Sequence, residues 1–310
     1  MYTIIITGAS GLIATELALS LLRSKEVHLF LISEHPEKVK ERYKNYGELV
    51  SVYSIDTFEE YSRYCNEKFH FCIHTAFARS KSGQDLVESL QYLRKIADIS
   101  RNLAVGAFVN ISSQSVYGNI SEPAPWKESA PQSPDNLYAM AKSSSEIITS
   151  LAFSGSHTRW TNIRLCSVME NARFVNVFVN NALKGLPILL TSPHQKCSFI
   201  DIRDVVNALK KLISSNVKEY ASVYNLGSDI VCTIKDVAYL VKEIGEKKFG
   251  LRNITITECQ SDIHNNIGMD TSLFKTTFNW MPDYNMNDMV TQMFEFSLSC
   301  SQNVPTSFSI

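Results

Sequence analysis

From Tyr2 to Thr7 the chain reads YTIIIT, an unbroken apolar and β-branched run that predicts a strand buried on both faces. Gly8 ends the run. From Ala14 the apolar residues fall at 14, 17, 18, 21 and 22, which is the single stripe of a helix packed on a sheet. A second strand is expected over Val27–Ile32, completing a β-α-β unit. The join between strand and helix reads GASGLIA, with glycines at 8 and 11 and alanine at 14. Such a turn lets backbone N–H groups approach a pyrophosphate at a helix N-terminus.

The alternation continues. LVSVYSID, FHFCIHTAFA, GAFVNISS and RWTNIRLCSV are strand-like, and 85–104 and 137–153 carry helical periodicity, with Leu86, Leu90, Leu93 and Ala97 on one face. Strands alternating with helices predict a parallel sheet covered on both sides, with ligand at the carboxyl ends of the strands. After about residue 168 the pattern is less regular, and then FIDIRDVVNALKKL and SVYNLGS resume it. We therefore expect a doubly wound α/β domain from 1–168 plus about 199–228, and a smaller α/β substrate lobe from about 169–198 plus 229–310. The Pro/Ser-rich stretch 121–136 reads as a functional loop, and the tail from Ser301 as frayed.

Composition narrows the partners. A net charge of −1 over 310 residues gives no electrostatic footprint for nucleic acid or an anionic membrane, so a small molecule is the expected ligand. The seven cysteines form no C-x-x-C pair, which argues against a zinc site or a disulfide framework and for a reducing, cytoplasmic compartment. The first basic residue, Arg23, follows the N-terminal apolar run rather than preceding it, unlike a signal peptide. No apolar window reaches the roughly 18 residues of a membrane span.

Two segments flank the Pro/Ser-rich loop: NISSQSVYGN at a strand end and YAMAK opening a helix. Tyr138 and Lys142 are four residues apart and share a helix face. An ammonium beside a phenol favours the phenolate, so the spacing predicts a tyrosine pKa lowered toward neutrality, suited to acid/base work. Ser113 can hydrogen-bond the same substrate oxygen. Tyr64 and Lys68 repeat the spacing in a polar stretch that reads as a solvated helix face.

With these motifs in order, the chain resembles the extended short-chain dehydrogenase/reductase family, the group of NAD(P)-dependent nucleotide-sugar epimerases and dehydratases with a Rossmann-type fold. The resemblance rests on TGASGLIA, HTAFA, SSQSVYG, YAMAK, IRLCSV, FIDIRDV, YNLGS and FNWMPDY. It implies Ser113, Tyr138 and Lys142 as catalytic residues, with Lys142 also holding the nicotinamide ribose. It implies a dinucleotide site at Gly8, Ser10, Gly11, Leu12, Ile13, Ser33, Asp56, Thr57, Thr75 and Ala76, together with Tyr138 and Lys142. Ser115, Ser167 and Lys196 are the implied substrate contacts, and helices 85–104 and 137–153 the expected homodimer face.

The departures are specific. Ser33 stands where NAD-using members carry an acid, near His35 and Lys38, which leans the expectation toward NADP over NAD, although Glu34 follows. Gln114 and Ser115 replace the Asp-Glu of the dehydratases, which argues against 4,6-dehydration. Cys197 falls at or beside the family's phosphate-binding arginine, with Lys196 as a point-charge substitute. Phe77 replaces a small residue, either crowding the cofactor edge or joining the core. His74 is expected to pack or bond backbone, Cys166 to be a small buried apolar residue, His194 and Lys196 either to contact an anionic group or simply to be exposed, and Asp201 and Asp204 to cap helices. The expected function is hydride-transfer oxidoreduction or epimerisation of a sugar-like, nucleotide-linked substrate. The alternatives are a ketoreductase of a non-nucleotide carbonyl and a dinucleotide-binding sensor or scaffold.

Overall fold

The computed structural model describes residues 1–80, 82–118, 124–259 and 267–302, with side chains described up to Ser299. The expected loop at 121–136 therefore lies partly, and the tail from 303 wholly, outside the described residues. The chain runs β1 (Tyr2–Thr7), α1 (Leu12–Leu22), β2 (Val27–Ile32), α2 (Pro36–Tyr43), β3 (Val50–Tyr53), α3 (Ile55–Ser62), β4 (Phe71–His74), α4 (Gly83–Asn102), β5 (Ala107–Ser113), α5 (Leu137–Phe153) and β6 (Arg159–Leu165). It continues with β7 (Ser167–Val168), α6 (Arg173–Leu183), β8 (Ile188–Leu190), β9 (Lys196–Ile200), α7 (Ile202–Ser214), β10 (Val223–Leu226), β11 (Val231–Thr233), α8 (Ile234–Lys248), β12 (Ile256–Glu258), α9 (Ser272–Phe278) and α10 (Met286–Gln302).

Among the described residues, seven strands form one sheet in the order β10-β6-β5-β4-β1-β2-β3, and every neighbouring pair is parallel. The strand order reverses between β1 and β4, which places a crevice at the carboxyl ends of those two strands. The apolar runs fill both faces by pleat alternation. Ile4, Ile6, Leu29, Leu31, Ala107 and Val109 pack in the core under α1 and α7. Their neighbours Ile5, Phe30, Ile32 and Phe108 pack in the core under α4 and α5. The predicted α1 stripe is the buried set of that helix: Ala14, Leu17, Ala18, Leu21 and Leu22.

A third core joins α6, α8, α10, β8 and Phe199 of β9. Among the described residues, those of 229–302 are divided between cores rather than all packing in the smaller lobe. Phe274, Phe278 and Trp280 pack in the larger core, where the Phe274 and Phe278 rings lie 5.8 and 5.1 Å from that of Tyr224 on β10. β9 is central in a three-stranded sheet ordered β11-β9-β7. The strand-like stretch ending at Val168 breaks at Cys166, so Ser167 leaves the large sheet and pairs with Phe199 of β9.

No helix among the described residues is long and apolar enough to cross a membrane. Tyr64 lies in the turn beyond the end of α3 and is 84% exposed. The Tyr64–Lys68 spacing therefore does not fall on a helix, contrary to expectation, because α3 stops at Ser62.

Candidate active site

The glycine turn is built by contacts between β1 and β4. The Thr75 hydroxyl donates to the Thr7 carbonyl at 2.8 Å, and Thr7 Oγ1 lies 2.9 Å from His74 Nδ1. These bonds bring Ala76 against Gly8. A Cβ at Gly8 would meet Ala76 Cα at 2.8 Å, and its φ of +67° suits glycine in any case. Gly11 N–H donates to the Gly8 carbonyl at 2.8 Å and closes the turn onto α1. Gly11 also occupies the N-cap of α1, where no side chain caps the helix and no acid stands in its first turn, so the first-turn N–H groups are left without a side-chain partner. This uncapped helix start fits a dinucleotide pyrophosphate, with Gly8, Ser10, Gly11, Leu12 and Ile13 as the residues that would hold it.

Burial pushes the His74 pKa down to about 3, so the ring is neutral and acts through its bond to Thr7. That bond is to a side chain rather than to backbone.

Along the same sheet edge lie the residues expected at the adenosine end. Ser33 is buried, and its hydroxyl accepts from the His35 N–H at 3.1 Å. Thr57 closes a reciprocal capping box with Ser54 at the start of α3. The Asp56 carboxylate accepts from Lys95 of α4 at 2.7 Å.

The catalytic candidates meet at the ends of β5 and α5. Asn136 caps α5 by accepting from the Ala139 N–H at 3.0 Å, which sets Tyr138 in the first turn and Lys142 one turn further. Ser113 closes β5, and its oxygen accepts from both the N–H (3.2 Å) and the hydroxyl (3.0 Å) of Ser115. With its lone pairs so engaged, the Ser113 hydroxyl is left to donate.

A cavity of about 700 Å³ is lined by Ser113, Tyr138 and Lys142 together with Ile13, Thr75, Ser115 and Ser167. Lys196 is not brought to it. It lines a separate cavity of about 530 Å³ with Asp229 and Asp270, because β9 carries it to the other end of the three-stranded sheet.

The electrostatics differ from the expectation. The Tyr138 pKa is raised, because desolvation outweighs the charge of Arg79 and the hydrogen bond from Ser113, both of which favour the phenolate. The Lys142 pKa falls to about 7, again through desolvation, with Arg79 adding to the fall and Glu146 opposing it. Its ammonium does not reach the phenol oxygen as the spacing implied. Lys142 Nζ donates to the Ile111 carbonyl at 2.8 Å and sits 3.8 Å from the Phe77 ring centre, against 6.0 Å from that of Tyr138.

A buried network anchors this helix. Glu146, one turn beyond Lys142, takes a forked ion pair from Arg164 of β6 at 3.0 and 2.8 Å. It also accepts from Ser112 at 2.6 Å and Gln132 at 2.7 Å.

Sequence reasoning missed Arg79 and Asn171, which also line the cavity. Arg79 carried a readable signal: a cation five residues beyond His74, just past a strand end at the ligand-bearing edge. Cys166 lines the cavity as a neutral thiol, its pKa pushed up to about 12 by burial. Asp201 caps α7 by accepting from the Arg203 N–H, and Asp204 accepts from the N–H groups of Asp283 and Tyr284.

The sequence profile described as the NAD dependent epimerase/dehydratase family matches residues 4–227. A dTDP-glucose 4,6-dehydratase of Streptomyces antibioticus is 30% identical over 130 residues, which is 39% of this chain and 38% of that protein. One from Actinoplanes is 28% identical over 126 residues, 38% of this chain and 39% of that protein. The chain thus aligns with well under half the length of these curated relatives.

Solved structures extend the likeness to the whole fold. The UDP-N-acetylglucosamine 4-epimerase of Bacillus cereus superposes with a TM-score of 0.78 at 18% identity, covering 99% of both chains. The UDP-glucuronic acid 4-epimerase of Bacillus cereus, solved with UDP-glucuronic acid and NAD, gives 0.80 at 17% identity, covering 96% of this chain and 99% of that one. The dTDP-glucose 4,6-dehydratase of Bacillus anthracis gives 0.80 at 15% identity, covering 97% and 98%.

Proposed function

Since the chain belongs to the NAD dependent epimerase/dehydratase family, we propose that it is an NAD(P)-dependent enzyme that oxidises or epimerises a carbinol carbon, or reduces a ketone carbon, of a nucleotide-linked sugar, and that it does not dehydrate it. The observation that carries this reading is the meeting of Ser113, Tyr138 and Lys142 on one cavity, with Thr75 of the glycine-turn contacts and Ile13 of α1 in the same wall. The dinucleotide, when bound, supplies the hydride acceptor or donor.

The protein's own groups handle the oxygen and its proton. Ser113 donates to the reacting oxygen. Tyr138, its pKa raised by burial, carries its proton at neutral pH and is poised to give it to a carbonyl oxygen. In the reverse direction it must lose that proton, a step that the Arg79 charge favours. Lys142, buried and titrating near 7, holds the ribose edge and exchanges protons at the working pH.

Elimination of water needs an acid beside the leaving hydroxyl. Gln114 and Ser115 supply none, and no carboxylate lines the cavity among the described residues. Cys197 in place of the family's arginine favours a second reading, reduction of a non-nucleotide carbonyl.

For the cofactor we read NADP from Ser33 at the end of β2 with His35 and Lys38 exposed beside it. For the assembly we read a homodimer, since Leu137, Met140, Ile147 and Leu151 of α5 expose apolar side chains beside α4.

The test combines identification of the dinucleotide that copurifies with a panel of nucleoside-diphosphate sugars, with products resolved by NMR. Inverted or oxidised sugar, lost about 10²–10⁴-fold in Tyr138→Phe, supports the reading. A 4-keto-6-deoxy product, or turnover unchanged in Tyr138→Phe, overturns it.

A further inference from the structure

Away from the candidate active site, two thiols face each other across the smaller sheet. β9 and β11 are antiparallel, and their register sets Cys197 directly opposite Cys232, flanked by the pairs Ser198–Val231 and Lys196–Thr233. Directly opposed residues of an antiparallel pair have Cα atoms about 4.5–5.5 Å apart, inside the 4.4–6.8 Å span that a disulfide bridges. The sulfurs are 3.6 Å apart, and the Cys197 thiol also reaches the Cys232 carbonyl at 3.3 Å. Rotation about the two χ1 angles is thus the main movement needed to bring them to bonding distance. Both residues are half-buried, so a small oxidant can reach them. Neither belongs to the cavity that holds Ser113, Tyr138 and Lys142.

We propose that Cys197 and Cys232 are a dithiol oxidation site that forms a reversible cross-strand disulfide with a low-molecular-weight disulfide as oxidant. The Cys232 thiolate attacks one sulfur of the oxidant, forming a mixed disulfide and expelling the first small thiolate. Cys197, after losing its proton to solvent, attacks the Cys232 sulfur of that mixed disulfide and expels the second. Two protein thiols and one small disulfide become one protein disulfide and two small thiols.

Cys232 is the entering nucleophile because the Cys197 thiol keeps its proton on the Cys232 carbonyl, and the contact between the sulfurs favours ionisation of Cys232 over Cys197. Asp236, at the start of α8, opposes ionisation of both. The bond would pin β11 to β9, whose Lys196 and Ser198 line the second cavity.

The experiment treats the full chain with oxidised glutathione, alkylates it in denaturant, and maps peptides by mass spectrometry with and without dithiothreitol. The expected result is a crosslinked 197–232 peptide 2 Da lighter than its two thiol components, two alkylatable thiols lost, and both restored by dithiothreitol. Cys197→Ala should stop at the mixed disulfide and carry glutathione on Cys232. Cys232→Ala should leave Cys197 alkylatable. Absence of the crosslinked peptide from the parent, with both cysteines still alkylated, overturns the proposal. So does glutathione on Cys197 rather than Cys232, which reverses the assigned order of attack.

Discussion

The Lys142 ammonium lies 3.8 Å from the centre of the Phe77 ring, and the same ring meets Tyr138 edge to face with centroids 6.1 Å apart. Phe77 therefore packs on both helix residues of the candidate triad. Phe77 lines the cavity and packs on Lys142 rather than joining either sheet core. A desolvated cation–π contact favours the charged amine by about 2 kcal/mol, or roughly 1.5 pKa units.

Phe77→Leu keeps the site dry and removes the ring. We expect the Lys142 pKa to fall below about 7 by roughly 1.5, read from the pH dependence of turnover or from NMR of the labelled lysine. Phe77→Tyr should leave it in place. An unchanged pKa in the leucine variant would show that the ring does not support the cation.

At the glycine turn, Gly8→Ala combines a φ of +67° with a Cβ 2.8 Å from Ala76 Cα. Backbone cannot yield as a flexible side chain does, so the turn must open. We expect dinucleotide affinity to fall about tenfold or more, equivalent to about 1.4 kcal/mol, measured by fluorescence titration with the reduced cofactor. Gly47→Ala is the matched control: φ is +51°, yet nothing lies within 4 Å of its Cβ. It should cost about 1–3 kcal/mol of stability and leave binding alone. Equal binding loss in both variants would remove the cradle argument.

How far the sequence could be read follows from the range of the interactions. The α1 stripe and the six strands from β1 to β6 were legible because period and β-branching are local properties. That Ser113, Tyr138 and Lys142 line one cavity was legible because helix spacing and a strand end set it. The direction of the Tyr138 and Lys142 pKa shifts was not, since it depends on burial contributed by Phe77, Ile111 and other elements. The same holds for α9, whose Phe274 and Phe278 announce an amphipathic helix but not which core receives it. Lys196 was assigned by motif position, and only the strand register separates it from Ser167, which pairs with Phe199 three residues further along β9.

Glu146→Gln tests the buried network. Arg164 and Glu146 are 4% and 5% exposed, and removing one charge leaves the other buried without its partner. That change costs about 3–5 kcal/mol in comparable pairs. Urea denaturation should register a loss of that order. The double variant Glu146→Met/Arg164→Met should be more stable than the sum of its two singles, because it buries no lone charge. Strict additivity would mean that the pair is not coupled.

Lys142 also ties stability to pH, and the sign is fixed by its lowered pKa. Unfolded, the amine titrates near its ordinary value of 10.5; folded, near about 7. Between these values the unfolded chain binds a proton that the folded chain lacks, so this group makes the fold more stable as pH rises through that window. Below about 7 both states are protonated, and the penalty of burying the cation is complete. Lys142→Met removes the titration. Thermal melts of parent and variant should differ most in the variant's favour at pH 6, and the gap should narrow steadily toward pH 10. A gap independent of pH would mean that the folded amine keeps an ordinary pKa, and would withdraw Lys142 as a proton-exchanging group at neutral pH.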